Sequence, residues 1–384
     1  MSSPRIAVIG AGPGGLVAAR GLQFHGQEVT VFEREVSATS RAQGGMLDLH
    51  APSGQSALRA IGLFEQFRAL ARPEAQEMRW LKADTAELFN HEQPGDDEYY
   101  APEIDRGQLR QMLLDSLKPG TVHWGRPISG VTTDNGKAQV LFADGTTEMF
   151  DLVIGADGAW SRVRPAVSAA LPDYTGTSML ETYFDDIDNR HPALATLIGA
   201  GSMVATEGPV MLGAQRNSDG HVRAYAMFED LPLDWHVAVG VDLDDTEAVR
   251  AYVLGRLEGW HESLLDLIRE SDGGFVNRPI HAFADGHSWA HVPGVTLLGD
   301  AAHLLPPHGI GANLALIDGS DLAAAVAAHD DLDQAVRAYE AVILARGGAA
   351  ARADAELSVL MDNDDVNTTD MRKLYNDRML NPAV

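Results

Sequence analysis

Residues 6–15 read Ile6-Ala7-Val8-Ile9-Gly10-Ala11-Gly12-Pro13-Gly14-Gly15, and Leu16-Val17-Ala18-Ala19-Arg20-Gly21-Leu22 follows with a helical pattern. The apolar run predicts a short buried strand. Gly10 permits a tight turn out of that strand, Gly12 lets backbone approach a pyrophosphate, and Gly15 lets the helix pack close to the strand. A second strand, Glu28-Val29-Thr30-Val31-Phe32, closes on Glu33, at the spacing where a carboxylate accepts ribose hydroxyls. The helix N-terminus offers free N–H groups and a positive dipole end for phosphates. Strand, glycines, helix, strand and acid in this order predict a dinucleotide-binding βαβ unit. The acid at Glu33 favours a free 2′-hydroxyl, hence FAD or NAD rather than NADP at this site.

Two later stretches extend the pattern. Residues 151–165 contain the strand-like Leu152-Val153-Ile154, then Asp157-Gly158, then a basic helix start through Arg162 and Arg164. Residues 295–303 carry another buried strand into Gly299-Asp300, ending at His303, and Pro306-Pro307-His308-Gly309-Ile310-Gly311-Ala312-Asn313 lead into a helix from Leu314 to Ala328. Asp300 sits where a carboxylate can bind ribityl or ribose hydroxyls. Gly309 and Gly311 leave backbone free to lie against a flat ring, with a helix start near Ala312 pointing its positive end there. Reduced flavin is anionic at N1 and O2, so that placement suits it. His303 reads as a packed, structural histidine rather than a base.

The whole-chain numbers narrow the class. The 384 residues are 45 % hydrophobic, enough for two domains with ordinary cores. The net charge is −26, which repels phosphate backbones and argues against nucleic acid as a partner. No apolar run approaches a membrane span, and no secretory signal precedes the first strand, so a cytoplasmic protein is expected. The absence of cysteine excludes disulfides, thiolate metal sites and a Cys nucleophile; no metal site is expected.

These motifs resemble the group A FAD-dependent aromatic monooxygenases, and within them most closely the tetracycline-inactivating monooxygenases, or tetracycline destructases. The likeness also rests on Gly44-Gly45-Met46-Leu47-Asp48-Leu49-His50, on Pro102-Glu103-Ile104-Asp105-Arg106 with Leu109-Arg110, and on Gly299 through Leu304 with Pro306-Pro307. The resemblance implies that Glu33 and Arg34 bind the adenosine ribose, that Arg106 and Arg110 approach the phosphate and ribityl region, and that Asp300 holds the ribityl-pyrophosphate part. Gly309, Gly311, Ala312 and Asn313 would line the isoalloxazine, with Asp48 near it. Gly10, Gly12, Pro13, Gly14, Gly15, Arg41, Asp157, Gly299 and Pro307 complete the expected cofactor contacts. For substrate, Glu181 and Arg223 are expected to orient it, with Ser202 and His308 beside it and Met211 and Met227 as pocket walls. Glu181, Ser202 and Arg223 stand where the destructases usually carry Gln, Arg and His, and the loop Pro307-His308-Gly309-Ile310-Gly311 is one residue shorter. Both departures put tetracycline itself in question.

The implied architecture is α/β: a Rossmann-type FAD-binding domain with an inserted mixed β-sheet substrate domain and a C-terminal bridging helix. The expected boundaries are 1–68, 99–170 and 285–325 for the FAD-binding domain, 69–98 and 171–284 for the substrate domain, and 326–384 for the helix. Strand-like runs fall in 174–184, 202–216 and 221–240, and 246–270 reads as helical. The implied reaction consumes NADPH or NADH as transient reductant and O2 as co-substrate, and hydroxylates a polycyclic aromatic or polyketide-like small molecule through C4a-hydroperoxyflavin; the protein is expected to be a monomer. The cofactor carries that chemistry, which accounts for the lack of a side-chain nucleophile. A flavin-dependent reductase and a non-catalytic, drug-sequestering flavoprotein remain alternatives. A halogenase is disfavoured, because Trp80, Trp124, Trp160, Trp235, Trp260 and Trp289 stand alone, with no Trp-x-Trp.

Overall fold

Strand β1 (Ile6–Ile9) is buried at every position, as a strand covered on both faces must be. It lies in the middle of a five-stranded parallel sheet of order β17-β11-β1-β2-β7. Its partners are β2 (Val29–Phe32), β7 (Val122–His123), β11 (Leu152–Gly155) and β17 (Val295–Leu297). The three fingerprint strands read from the sequence are therefore neighbours. The computed structural model describes residues 4–40, 44–94, 100–283, 286–361 and 377. Among these, no helix is long and apolar enough to cross a membrane.

Helices α1 (Pro13–Phe24), α2 (Gly54–Ala60), α3 (Phe64–Leu70) and α4 (Arg106–Asp115) belong to this part of the molecule. So does an antiparallel ribbon of β3 (Met46–Asp48) and β6 (Glu103–Asp105). A three-stranded antiparallel sheet, β8 (Ile128–Asp134), β9 (Lys137–Phe142) and β10 (Thr147–Phe150), adds Val131, Val140, Phe142 and Phe150 to the same core. Its first hairpin turns on Asn135-Gly136, both at positive φ, the dipeptide signal for a two-residue turn.

The second sheet has seven strands in the order β16-β12-β15-β14-β13-β4-β5. These are β4 (Met78–Lys82), β5 (Leu88–Glu92), β12 (Asp173–Phe184), β13 (Ser202–Glu207), β14 (Val210–Arg216), β15 (Val222–Phe228) and β16 (Val276–Ala282). Only β13 and β4 run parallel, so the sheet is mixed. One face, including Leu180, Leu212, Ala224 and Phe228, builds a separate core with α5 (Ile187–Arg190), α6 (Pro192–Ile198), α7 (Trp235–Val239), α8 (Thr246–Arg256) and α9 (Glu262–Arg269). The other face looks toward the β3/β6 ribbon, where Gln215 Oε1 accepts the Met46 N–H at 3.0 Å.

The strand-like run Val222 to Phe228, within 221–240, forms β15, and Trp235 then begins a short helix with its indole buried. Two local expectations change. The basic helix expected after Asp157-Gly158 does not form; a single 3-10 turn, Arg164–Ala166, stands there. Asp157 prevents the helix by capturing the Ser161 hydroxyl at 2.6 Å and the Arg162 N–H at 2.6 Å, which closes a tight loop instead. Residues 246–270 are helical but broken between α8 and α9. After α10 (Asp300–His303) and α11 (Gly311–Ala328), α12 (Leu332–Met361) forms the long C-terminal helix. Ala335, Val336, Tyr339 and Ile343 place its first half in the core of the parallel sheet. Farther on, Ala351 and Asp354 line a cavity of about 230 Å³ with Asp173 and Tyr174 of the second sheet, so α12 does span both parts.

Candidate active site

The glycine loop behaves as its sequence requires. Gly10 sits at φ +108°, and a Cβ there would collide with the Ala156 carbonyl. A Cβ on Gly15 would strike the Gly10 carbonyl, so α1 can approach β1 only through glycine. Around Gly12 a Cβ would meet nothing within 4 Å. That open space faces the start of α1, which has no side-chain cap; its first N–H groups are left for an anion. Gly14 has a different task. Its Cβ would lie 2.7 Å from the Ala315 carbonyl, one on Gly319 would lie 2.8 Å from Ala18 N, and one on Gly21 would lie 2.6 Å from Ala323 Cβ. The pairs 14 with 315, 18 with 319 and 21 with 323 show that α1 and α11 run parallel in backbone contact. Their N-termini therefore lie at the same end of the pair, and their dipoles add there.

Glu33 is buried and accepts the Ala11 N–H at 2.7 Å and the Glu35 N–H at 2.9 Å. It braces the glycine loop from the end of β2. Arg110 is buried with its donors spent on protein: Ala11 O at 3.0 Å, Ala38 O at 3.3 Å and Glu35 Oε2 at 2.8 Å. It holds the phosphate loop in shape instead of projecting into the cleft. Arg34 is exposed, and Arg41 lies outside the described residues. Asp157, expected as a cofactor contact, is turned into its own loop, and burial raises its pKa. That loop in turn supports the next motif, because Arg164 donates to both Ala159 O and Ala301 O.

At the third fingerprint, Gly299 adopts φ +57° and its N–H is held by Asp318 Oδ2 at 3.0 Å. This turn projects Asp300. The Asp300 side chain reaches solvent, yet the protein packed around it desolvates the carboxylate enough to raise its pKa. The charges of His303 and Arg106 oppose that rise. Behind it, Asp318 Oδ2 also accepts His303 Nε2 at 2.5 Å, and Arg346 lies 3.3 Å from Asp318 and 2.6 Å from Asp321. His303 is thus a buried structural residue, as expected, and its proton is held by Asp318 against desolvation.

The loop before α11 carries Pro307 and Gly309 exposed and Gly311 and Ala312 half-buried. Gly309 is at φ +85°, 3.5 Å from the Asp48 carboxylate at its Cβ position, and Asp48 bonds His50 at 3.0 Å. Asn313 does not line open space. It is fully buried, accepts the N–H groups of His50 at 2.8 Å and Gly54 at 3.2 Å, and donates to Asp48 O at 2.8 Å and Gly309 O at 3.2 Å. It clamps the β3 loop to the helix start. Asn313→Ala would orphan these groups and should cost about 2–3 kcal/mol, read as a lower urea midpoint at unchanged slope. His308 is fastened to α12 through Asp354 at 2.6 Å.

Register brings the substrate candidates together. Glu181, Arg223, Met227, Met211 and Ser202 all project from the cleft face of the seven-stranded sheet, opposite the Leu180, Ala224 and Leu212 face. Glu181 is buried, paired with both Arg223 and Arg278. Tyr225, Gln215, Met179 and Arg278 share this face and were not singled out from the sequence; period-two alternation along each strand would have found them once the strands were paired. A Cβ on Gly45 would sit 2.8 Å from both Gln215 Oε1 and Tyr225 Oη, so the β3 strand start covers the Arg223 end of the face. Burial and the nearby Glu181 charge push the Tyr225 phenol well above its usual value, and it stays a neutral hydroxyl.

The arrangement has open space at Gly12, an exposed carboxylate at Asp300, and two parallel helices whose N-termini lie at one end. Comparison with known proteins agrees. A family model described as an FAD binding domain matches residues 4–264. Monooxygenase penA of Penicillium thymicola is 30% identical, over 88% of this chain and 90% of that protein. The chain belongs to the FAD-dependent monooxygenase family. Among solved structures, Klebsiella pneumoniae HpxO complexed with FAD and uric acid matches this monooxygenase with a TM-score of 0.79 at 22% identity, covering 99% of this chain and 96% of that one. Tetracycline destructase Tet(51) matches with a TM-score of 0.73 at 19% identity, covering 99% and 97%. At these identities the two structures share the monooxygenase fold with this chain, which bears out the family resemblance without selecting a substrate.

Proposed function

We propose that this monooxygenase hydroxylates a flat, electron-rich aromatic or polyketide-like small molecule, drawing electrons from NADPH or NADH and oxygen from O2. One observation carries the reading: α1 and α11 run parallel with their N-termini at one end, Asp300 lies beside Gly311, and the β3 segment reaches from the Gly309 loop through Asp48 to the half-polar face of the seven-stranded sheet through Gly45. In this proposal the segments 1–68, 99–170 and 285–325 hold FAD, 69–98 and 171–284 hold substrate, and 326–384 joins them.

Bound FAD would supply the oxygen-activating chemistry. The chain's own residues do the rest. Gly10, Gly12 and Gly15 admit the pyrophosphate to the α1 N-terminus, and Glu33 takes the adenosine ribose. Asp300 accepts hydroxyls of the ribityl chain. Gly309, Gly311 and Ala312 present backbone to the ring, where the α11 dipole favours negative charge. Glu181 and Arg223 fix the substrate's polar edge, while the methionines and the covering β3 strand keep water from the reacting atoms. Tetracyclines belong in the first substrate panel, although Glu181, Ser202 and Arg223 argue for a different polar pattern.

Purified protein should carry flavin at close to one equivalent, and turnover should yield a product heavier by one oxygen. NAD(P)H oxidation that never gives such a product would make the chain a reductase. Asp300→Ala should weaken FAD retention about ten- to a hundredfold, the loss of a hydrogen bond to a charged group. The ionised carboxylate is the acceptor, and its pKa is raised in the free protein. Affinity for FAD should therefore fall as pH drops through that raised value, earlier than an ordinary aspartate allows, and Asp300→Asn should flatten this acid limb. Dissociation constants from flavin fluorescence across pH 4–8 (roughly the range set by a raised carboxylate) decide it; wild-type affinity in Asp300→Ala would remove the residue from the site.

A further inference from the structure

Helix α12 is pinned to the parallel sheet before it reaches the loop that precedes α11. Tyr339 Oη donates to Leu297 O at 2.9 Å. Glu340 accepts from Trp289 Nε1 at 3.0 Å and from Thr296 Oγ1 at 2.9 Å. Farther along, Ala350 and Ala353 close a small core with Ile310 and Leu314. Asp354 follows directly and is buried. On a helix held at these points, its carboxylate is a stationary post.

The loop it meets, residues 305–309, has unfilled space beside it. A cavity of about 230 Å³ lies against Leu305 and Pro306. The His308 N–H donates to Pro306 O at 2.9 Å, closing a three-residue turn, and Gly309 follows at φ +85°. Side-chain bonds reach this turn from two directions. From the β3 side, Asn313 donates to Gly309 O at 3.2 Å. From the α12 side, His308 Nδ1 meets Asp354 Oδ1 at 2.6 Å. An ionised carboxylate only accepts, so Nδ1 is the donor. The two side chains are 20% and 11% exposed, and a bond to a charged group so placed is short and directional.

We infer that Asp354 is a positioning residue for the cofactor: through His308 it holds the turn that presents Gly309 to the flavin ring. The inference rests on the proposed function, which puts Gly309 against that ring, and it assigns the His308 side chain to α12 rather than to substrate. Once the bond is lost, the cavity gives Leu305 and Pro306 room to shift, and Gly309 moves with them. Placement matters at this scale, since a shift of about 1 Å at a reacting group costs up to about a hundredfold in rate.

The test titrates apoprotein with FAD, recording flavin fluorescence and the visible circular dichroism of the bound flavin, a signature of the ring's surroundings. Asp354→Ala and His308→Ala should each weaken FAD binding about tenfold, the loss of one hydrogen bond to a charged group, and should change the dichroism in the same way. His308→Asn, whose amide N–H replaces the Nδ1 donor, should recover the wild-type affinity and spectrum. The double variant should match either single variant, because both remove the same contact. A role for Asp354 in α12 stability alone predicts losses that add in the double variant and a spectrum that stays as in the wild type. If Asp354→Ala does not fold, His308→Ala against His308→Asn decides alone. Wild-type affinity and spectrum in His308→Ala, additive losses in the double variant, or no recovery in His308→Asn overturns the inference. Wild-type protein that takes up no FAD counts against the proposed function instead.

Discussion

Asp318→Ala is expected to destabilise this monooxygenase by about 3–5 kcal/mol, the range for removing one partner from a buried ion pair. Asp318 has no solvent exposure and serves three groups: the Gly299 N–H, His303 Nε2 and the Arg346 guanidinium. His303 and Arg346 are themselves buried. Deleting the carboxylate strips two buried basic groups of their shared counter-charge, leaving Asp321 on Arg346 and the more distant Asp300 charge on His303. It also frees the Gly299 turn that aims Asp300, so flavin content should fall together with stability.

The loss should depend on pH in a defined direction. Desolvation opposes charge on both partners, but each holds the other ionised: the His303 pKa is raised by Asp318, and the Asp318 pKa is lowered by His303. A raised histidine contributes fully below the ordinary imidazole value and loses its contribution as pH climbs through the folded value. A depressed carboxylate contributes above the ordinary aspartate value and loses its contribution as pH falls through the folded one. The wild-type advantage over Asp318→Ala should thus be largest in mildly acid to neutral solution and shrink in alkali, where His303 is neutral in both. Thermal midpoints of the two proteins at about pH 6 and pH 9, either side of the imidazole range, test this; a gap that does not narrow in alkali refutes the charge argument.

The second large effect contrasts Gly15→Ala with Gly12→Ala. A methyl on Gly15 overlaps the Gly10 carbonyl, lies 3.0 Å from Ala156 Cβ and 3.2 Å from Val8 Cγ1. These are backbone and core atoms that cannot step aside, so α1 must move off β1. Overpacking of this kind costs about 1–3 kcal/mol, and the shifted helix start no longer meets the phosphates. A methyl on Gly12 meets nothing in the protein but fills the space a pyrophosphate would use. Gly15→Ala should lose both stability and flavin, whereas Gly12→Ala should lose flavin, about a hundredfold in affinity if some 3 kcal/mol of contact is blocked, at an unchanged thermal midpoint. Equal flavin content in Gly12→Ala and wild type would place the cofactor elsewhere.

Much of the parallel-sheet half was legible from the chain alone. Gly10 must turn at positive φ, Gly15 must admit a helix, and Glu33 must end the next strand. Each of these constraints acts between residues close in sequence, or between a strand and the helix that follows it. The local signals misled where a side chain competed with the backbone. Asp157 folds residues 161–163 into a loop where composition suggested a helix. Arg110 and Asn313 carry cofactor-like sequence contexts, yet they are spent on bracing the backbone around the site.

The dinucleotide unit that opens the chain and the acid that closes its second strand were determined by the sequence itself, because steric limits on φ and on helix–strand approach act locally. The substrate side was decided by tertiary structure. Glu181 meets Arg278 across 97 residues, and β13 pairs in parallel with β4 from a distant segment. A strand's alternation says which residues share a face but not which strands stand beside it, and a one-residue slip would turn Met179, Met227 and Met211 away from the cleft. Only the paired sheet sets those methionines in one row, with Arg278 at its end.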